Sequence, residues 1–138
     1  MAARGYLFDS NILSEIIKRP QGALASRVAA LPAPLACTSI VVACELRYGA
    51  AKKGSPVLSQ RVRELLERIE VLPLEGDTDQ RYAEIRVALE RSGQPIGGND
   101  LLIAAQALAL DLTLVTANLG EFGRIPGLRV ENWVDPSG

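Results

Sequence analysis

Short apolar runs alternate with longer stretches of helical period along most of this chain. Tyr6-Leu7-Phe8 ends abruptly at Asp9-Ser10-Asn11, which predicts a buried strand with Asp9 at its carboxyl end. A helix is expected over 12–18, stopped by Pro20, and a shorter one over 23–30, closed by Leu31-Pro32-Ala33-Pro34. Leu35-Ala36-Cys37-Thr38 reads as a second strand, with Ser39 capping a helix over 40–51. Glu45 has Val41, Tyr48 and Gly49 as its neighbours one turn away, so it lies on an otherwise apolar face of that helix. Over 56–69, Leu58, Val62, Leu65, Leu66 and Ile69 keep a 3.6-residue period. Arg61, Arg63, Glu64, Glu67 and Arg68 fill the wet side of this amphipathic helix.

Val71-Leu72-Pro73-Leu74 reads as a strand, placed by its proline at a sheet edge or a strand end. Asp77-Thr78-Asp79 starts a helix that runs to Arg91, with Tyr82, Ile85 and Leu89 facing inward. After the break at Ser92-Gly93-Gln94-Pro95 comes Ile96-Gly97-Gly98-Asn99-Asp100. Here two glycines loosen the backbone, Asn99 is the expected cap and Asp100 sits in the first turn. From Leu101 to Leu110 only Gln106 is polar, so this helix is expected to be buried, and Asp111 ends it. Leu112-Thr113-Leu114-Val115-Thr116 is the clearest strand; Ala117-Asn118-Leu119-Gly120-Glu121-Phe122 is a loop or one helical turn. Arg129-Val130-Glu131 reads as a last short strand, and Trp133 is expected to pack the C-terminal segment down. Short strands alternating with helices predict one α/β domain over 1–138, with a parallel sheet covered on both faces.

Composition narrows the chemistry. With 48% hydrophobic and 22% charged residues, the chain reads as a globular protein. No apolar run approaches the ~20 residues of a membrane helix. Met1-Ala2-Ala3-Arg4-Gly5-Tyr6 lacks the apolar core of a signal peptide, which predicts a cytoplasmic protein. Cys37 and Cys44 are expected to be buried free thiols. The absence of histidine excludes histidine-based acid–base chemistry, triads using histidine and zinc sites built on it. A net charge of −1 excludes nucleic-acid binding by bulk charge and leaves only a local patch.

A carboxylate on the threshold of a buried helix is costly without a partner, and the helix dipole offsets only ~0.3–1 kcal/mol of that cost. Ligands of open α/β sheets bind beyond the carboxyl ends of the strands, where Asp9, Glu45 and Asn118 are expected and where Asp100 joins them if its helix starts at that edge. Carboxylates gathered without a cation repel one another, and an oxygen-only set suits Mg²⁺ or Mn²⁺. Each acid also has an ordinary structural reading. Asp9 suits the cap of the following helix, Glu45 an ion pair with Arg47 or Arg81, and Asp100 a first-turn acid. Neither G-x-G-x-x-G nor G-x-x-x-x-G-K-[ST] occurs, so dinucleotide and P-loop sites lack support. An aspartate-nucleophile phosphatase would want an acid where Asn11 stands.

Tyr6-Leu7-Phe8-Asp9-Ser10-Asn11-Ile12-Leu13-Ser14-Glu15, Cys44-Glu45-Leu46-Arg47-Tyr48-Gly49, the stretch from Ile96 to Ala105, and Leu114-Val115-Thr116-Ala117-Asn118 together resemble the PIN-domain toxins of the VapC type. The likeness continues through Glu121-Phe122, Ile125-Pro126-Gly127-Leu128 and Val130-Glu131-Asn132-Trp133. The resemblance implies a three-layer sandwich with a mostly parallel central sheet. It also implies an Mg²⁺-dependent (or Mn²⁺-dependent) endoribonuclease that uses a metal-activated water, the toxin of a type II toxin–antitoxin pair. By motif, Asp9, Glu45 and Asp100 are then the catalytic and metal-holding carboxylates. The position where many members carry a further acid reads Asn118, with Glu121 three residues on, so either is a candidate further ligand. Ser10, Asn11 and Thr116 are candidate phosphate contacts, and Arg47, with Lys52, Lys53 and Arg124, a candidate basic rim. The implied partners are an RNA such as tRNA, a small VapB-type antitoxin lying across the active groove, and a second copy of the chain. Leu13, Ile16 and Ile17 serve either the antitoxin contact or the core. Two other readings stand beside this one: a PIN-like module that binds RNA or a partner without cleaving, and a metal-dependent phosphatase.

Overall fold

A computed structural model describes residues 5–134. The opening Met1-Ala2-Ala3-Arg4, read above for a leader's apolar core, lies outside them. Among the described residues five strands form one parallel sheet in the order β3-β2-β1-β4-β5. They are β1 (Tyr6–Phe8), β2 (Ala36–Ser39), β3 (Glu70–Leu72), β4 (Thr113–Val115) and β5 (Val130–Glu131). The first crossover carries α1 (Ser10–Lys18) and α2 (Ala23–Ala29), and the second α3 (Ile40–Lys53) and α4 (Pro56–Arg68). The third carries α5 (Thr78–Arg91) and α6 (Gly98–Ala109), and the last the single turn α7 (Leu119–Phe122). Parallel crossovers are right-handed, so the reversal after β3 puts α5 and α6 on the face opposite α1–α4. This is the expected three-layer α/β architecture, with a sheet that is wholly parallel.

The core sits where the alternation placed it. Leu7 and Phe8 of β1 and Leu114 and Val115 of β4 are fully buried, as expected for central strands covered on both sides. From α6, Ile103, Ala104, Ala105 and Ala107 are equally buried, and α5 covers this helix. Leu13 and Ile17 belong to the core, while Ile16 is only partly buried. Trp133 closes the C-terminal side: its ring meets Tyr6 and Phe8 edge-on at centroid distances of 4.9 and 5.4 Å, and the Arg27 guanidinium lies 3.9 Å over it.

Several boundaries move for identifiable reasons. α1 begins at Ser10, because Asp9 caps it by accepting from Ser10 N. β3 takes in Glu70 and stops before Pro73, which has no N–H for the ladder; it is an edge strand, as expected. Cys44 is exposed on α3 and not buried; Cys37 is buried, donates to Tyr6 O at 3.3 Å, and its thiol is pushed up to about 12 by burial. The expected Asn99 cap is also corrected. α6 begins two residues earlier, with Gly97 at the cap position and no side-chain cap, while Asn99 turns to Glu45. Neither Gly97 nor Gly98 adopts positive φ, and both lie in open space. No helix among the described residues is long and apolar enough to cross a membrane.

Candidate metal centre and its surroundings

The sheet order reverses direction between β1 and β4, and a crevice opens beyond their carboxyl ends. Asp9 follows β1 immediately and is 3% exposed, with its backbone N–H extending the ladder to Val115 O at 3.0 Å. Its Oδ1 accepts from Ser10 N (2.8 Å), and its Oδ2 accepts from Thr116 Oγ1 (2.8 Å) and Asn11 Nδ2 (3.2 Å). Asp9 is therefore both the cap of α1 and a member of the crevice.

Asn11 and Thr116 surround Asp9. The Thr116 hydroxyl donates to Asp9 and accepts from Asn11 Nδ2 (3.2 Å) and Asn118 N (3.0 Å), which fills its hydrogen-bonding capacity. Asn11 Oδ1 accepts from Ala117 N at 3.0 Å, tying α1 to the loop after β4. In this arrangement both side chains orient the Asp9 carboxylate.

Glu45 arrives from α3, whose start is fixed by the Ser39 side chain accepting from Val41 N. Its Oε2 accepts from Asn99 Nδ2 at 3.4 Å, while Oε1 is buried without a partner. Burial raises its pKa first and the charge of Asp9 adds to this; Asn99 and Ser10 pull the other way. No ion pair joins Glu45 to Arg47 or Arg81: Arg81 pairs with Asp77 on α5 at 3.2 Å. Arg47 is exposed two residues along α3, roughly 200° around the helix from Glu45, and stands apart from the carboxylates.

Asp100 completes the approach from the first turn of α6. Its carboxyl is raised to about 7 by burial and by a hydrogen bond and charge from Glu121, with Asp9 and Glu45 adding to the effect. Glu121 moves the opposite way. The Asp100 carboxyl, Asn118 and the backbone of Gly97 donate to it and favour its charged form. Glu121 thus covers the amino end of α6 that Asn99 leaves uncapped.

These acids interact in pairs and at longer range. Among the described residues, no three histidine, cysteine or acidic side chains are drawn into a closed ligand shell. Their chemistry nonetheless fits a hard divalent cation. The donors are all oxygen, one Glu45 oxygen is buried without a partner, and Asp100 holds its proton against three neighbouring acids.

An apolar cavity of about 260 Å³ opens beside Glu45 between α1, α3 and α4, lined in part by Ser10, Ser14, Leu46 and Leu58, with Lys18 and Lys53 at its rim. Of the expected basic rim, only Lys53 reaches it. Lys52 lies toward Tyr48, and Arg124 donates to Pro95 O at 3.3 Å and lends its charge to Glu121. Asn99, Ser14 and Lys18 were not anticipated. Ser10, Ser14, Ile17 and Lys18 share the i, i+4, i+7, i+8 spacing of one α1 face, which is the signal that would have found two of them.

The sequence profile of the PIN domain matches residues 6–128. Ribonuclease VapC2 of Rickettsia felis is 38% identical over 131 residues, covering 93% of this chain and 97% of the relative. A tRNA(fMet)-specific endonuclease VapC of Salmonella typhimurium is 41% identical over 98 residues, covering 70% of this chain and 74% of that one. Among solved structures, VapBC2 of Rickettsia felis bound to a fragment of its promoter DNA superposes with a TM-score of 0.86 at 35% identity, over 93% of this chain and 98% of that one. DNA-bound VapBC of Salmonella typhimurium gives 0.84 at 34% identity, over 95% of this chain and 99% of that one. The crevice with its four acids, the sheet order that creates it and these likenesses over nearly the whole chain agree: the protein belongs to the PIN-domain family and, within it, to the VapC type.

Proposed function

We propose that this protein is a divalent-metal-dependent endoribonuclease, the toxin of a type II toxin–antitoxin pair, and that tRNA is its substrate class. The observation that supports this reading is electrostatic: Asp9, Glu45 and Asp100 come from three separate elements, and the charges of Asp9 and Glu45 both raise the Asp100 carboxyl. Asp9, Glu45 and Asp100 would hold Mg²⁺ or Mn²⁺, with Glu121 as a further acid beside Asp100. A cation held there supplies Lewis acidity and charge neutralisation toward a phosphodiester. The protein's own contribution is orientation: Ser10 N, Asn11 and Thr116 fix the Asp9 oxygens, and Asn99 fixes one oxygen of Glu45. Ser10 is not read as a nucleophile, because there is no histidine to activate it. Lys18 and Lys53, at the cavity beside Glu45, would offer positive charge to an RNA backbone.

Support for the substrate comes from relatives named as ribonucleases and as a tRNA(fMet)-specific endonuclease. Support for a VapB-type antitoxin comes from the similar structures, which are VapBC complexes. The cavity beside Glu45 is where its segment would block the crevice. A homodimer belongs to the same proposal, and light scattering at the mass of two chains would support it.

Purified protein is expected to cleave tRNA with Mg²⁺ or Mn²⁺ and to stop in EDTA, while Asp9→Asn and Asp100→Asn each reduce the rate at least ~100-fold. Unchanged cleavage by either variant would overturn the site. RNA bound but left intact under all metals would favour the silent binding module, and turnover of a simple phosphate ester in preference to tRNA would favour the phosphatase.

A further inference from the structure

We propose that Asn118 is a positioning residue: from the start of α7 its side-chain amide holds the Glu121 carboxylate against Asp100 and the amino end of α6. The inference rests on the metal-centre reading above. α7 is one turn long, so its own backbone does little to direct a glutamate that stands half-exposed at the crevice. Asn118 makes two different bonds to that glutamate. Its Oδ1 accepts from Glu121 N at 3.4 Å, which starts the turn, and its Nδ2 donates to Glu121 Oε2 at 2.7 Å. Only the first is a helix cap. The second is the shorter bond, and it serves the carboxylate alone.

The same residue is tied to the opposite wall of the crevice. Asn118 N donates to Thr116 Oγ1 at 3.0 Å, and that hydroxyl donates to Asp9 Oδ2 at 2.8 Å. Hydrogen bonds therefore run without a break from Asp9 through Thr116 and Asn118 to Glu121, the acid that stands beside Asp100. This chain also gives a chemical reason for an amide at 118. An aspartate there has no N–H to donate and would repel Glu121, whereas asparagine is neutral and offers a donor. Amide and glutamate work as a pair: the glutamate carries the charge and the amide sets its direction.

Serine separates the two bonds, because it caps a helix about as well as asparagine yet is too short to reach the Glu121 carboxylate. Mn²⁺ binding followed by electron paramagnetic resonance, without RNA, is the readout, with thermal unfolding alongside. Asn118→Ser is expected to keep the wild-type Tm and to weaken Mn²⁺ binding about tenfold, the loss typical of an orienting partner. In a Glu121→Gln background the same substitution is expected to cost nothing further. Wild-type Mn²⁺ affinity in Asn118→Ser, or an equal loss in both backgrounds, would overturn the assignment while leaving the metal centre standing. Mn²⁺ affinity that survives Asp9→Asn would instead overturn the centre, and this inference with it.

Discussion

The Thr116 hydroxyl serves three partners at once, which makes it a sensitive point of the crevice. A valine of similar shape removes the donor to Asp9 and the acceptor for Asn118 N and Asn11. Thr116→Val is expected to destabilise the fold by about 1–3 kcal/mol, read as a lower urea midpoint at unchanged m-value. Asp100 makes a different prediction. Its folded carboxyl is raised to about 7, above the ordinary carboxylate range, so the native state favours its protonated form. That contribution is complete below the unfolded value and is lost as pH rises through the folded one. Glu121, held low, loses its contribution only as pH falls below the usual carboxylate range, outside this window. A cation at the centre proposed above would compete with the Asp100 proton, so the rise in Tm caused by Mn²⁺ is expected to be larger at about pH 8 than at about pH 6. In Asp100→Asn the difference should vanish; a rise in Tm equal at both pH values would sink the idea. Asp9, Glu45 and Asp100 were legible as candidates because each is an acid set against apolar sequence, at the end of β1, on an otherwise apolar face of α3 and in the first turn of α6. The Asn99–Glu45 bond was not, since it joins side chains 54 positions apart and replaces a local cap of equal plausibility.

Among the elements, α6 carries the largest structural demand. It lies between α5 and the sheet, and its first turn also presents Asp100. Ile103 is fully buried there, and Ile103→Ala is expected to cost about 2–5 kcal/mol. Ile40, 41% exposed at the start of α3, is the control, and Ile40→Ala should change the urea midpoint little. Gln106, the lone polar side chain in the apolar run of α6, donates to Leu72 O at 3.1 Å and Pro73 O at 3.0 Å. It thereby holds the end of edge strand β3. The existence and order of the elements were readable from periodicity, because burial imposes the period. Their ends were less so. α1 and α6 start earlier than the pattern suggests, since Ser10 and Asn11 in one and Gly98 and Asn99 in the other extend a helix without extending its apolar stripe.

For the whole molecule, Trp133 decides whether the C-terminal segment stays on the sheet. It packs on Tyr6 and Phe8 of β1, takes Arg27 of α2 over its face, and donates from Nε1 to Glu131 Oε1 at 2.8 Å. Trp133→Ala is expected to cost about 3–5 kcal/mol and to lower Tm as a single cooperative transition. Separate melting of the C-terminal segment, with the rest intact, would show that it is not part of the core.

The first strand made is the centre of the finished sheet, and that sets a timetable. β1 is made with Asp9 before the other strands of the sheet, whereas the hydroxyl that orients Asp9 lies 107 residues later. Contacts of such separation form last, because a long loop must close before they contribute. A growing chain therefore carries one acid of its crevice without the wall that directs it until β4 has been made. On the function proposed above, a nuclease made beside the RNA it attacks would stay inert until Thr116 and the loop after β4 have followed β1 off the ribosome.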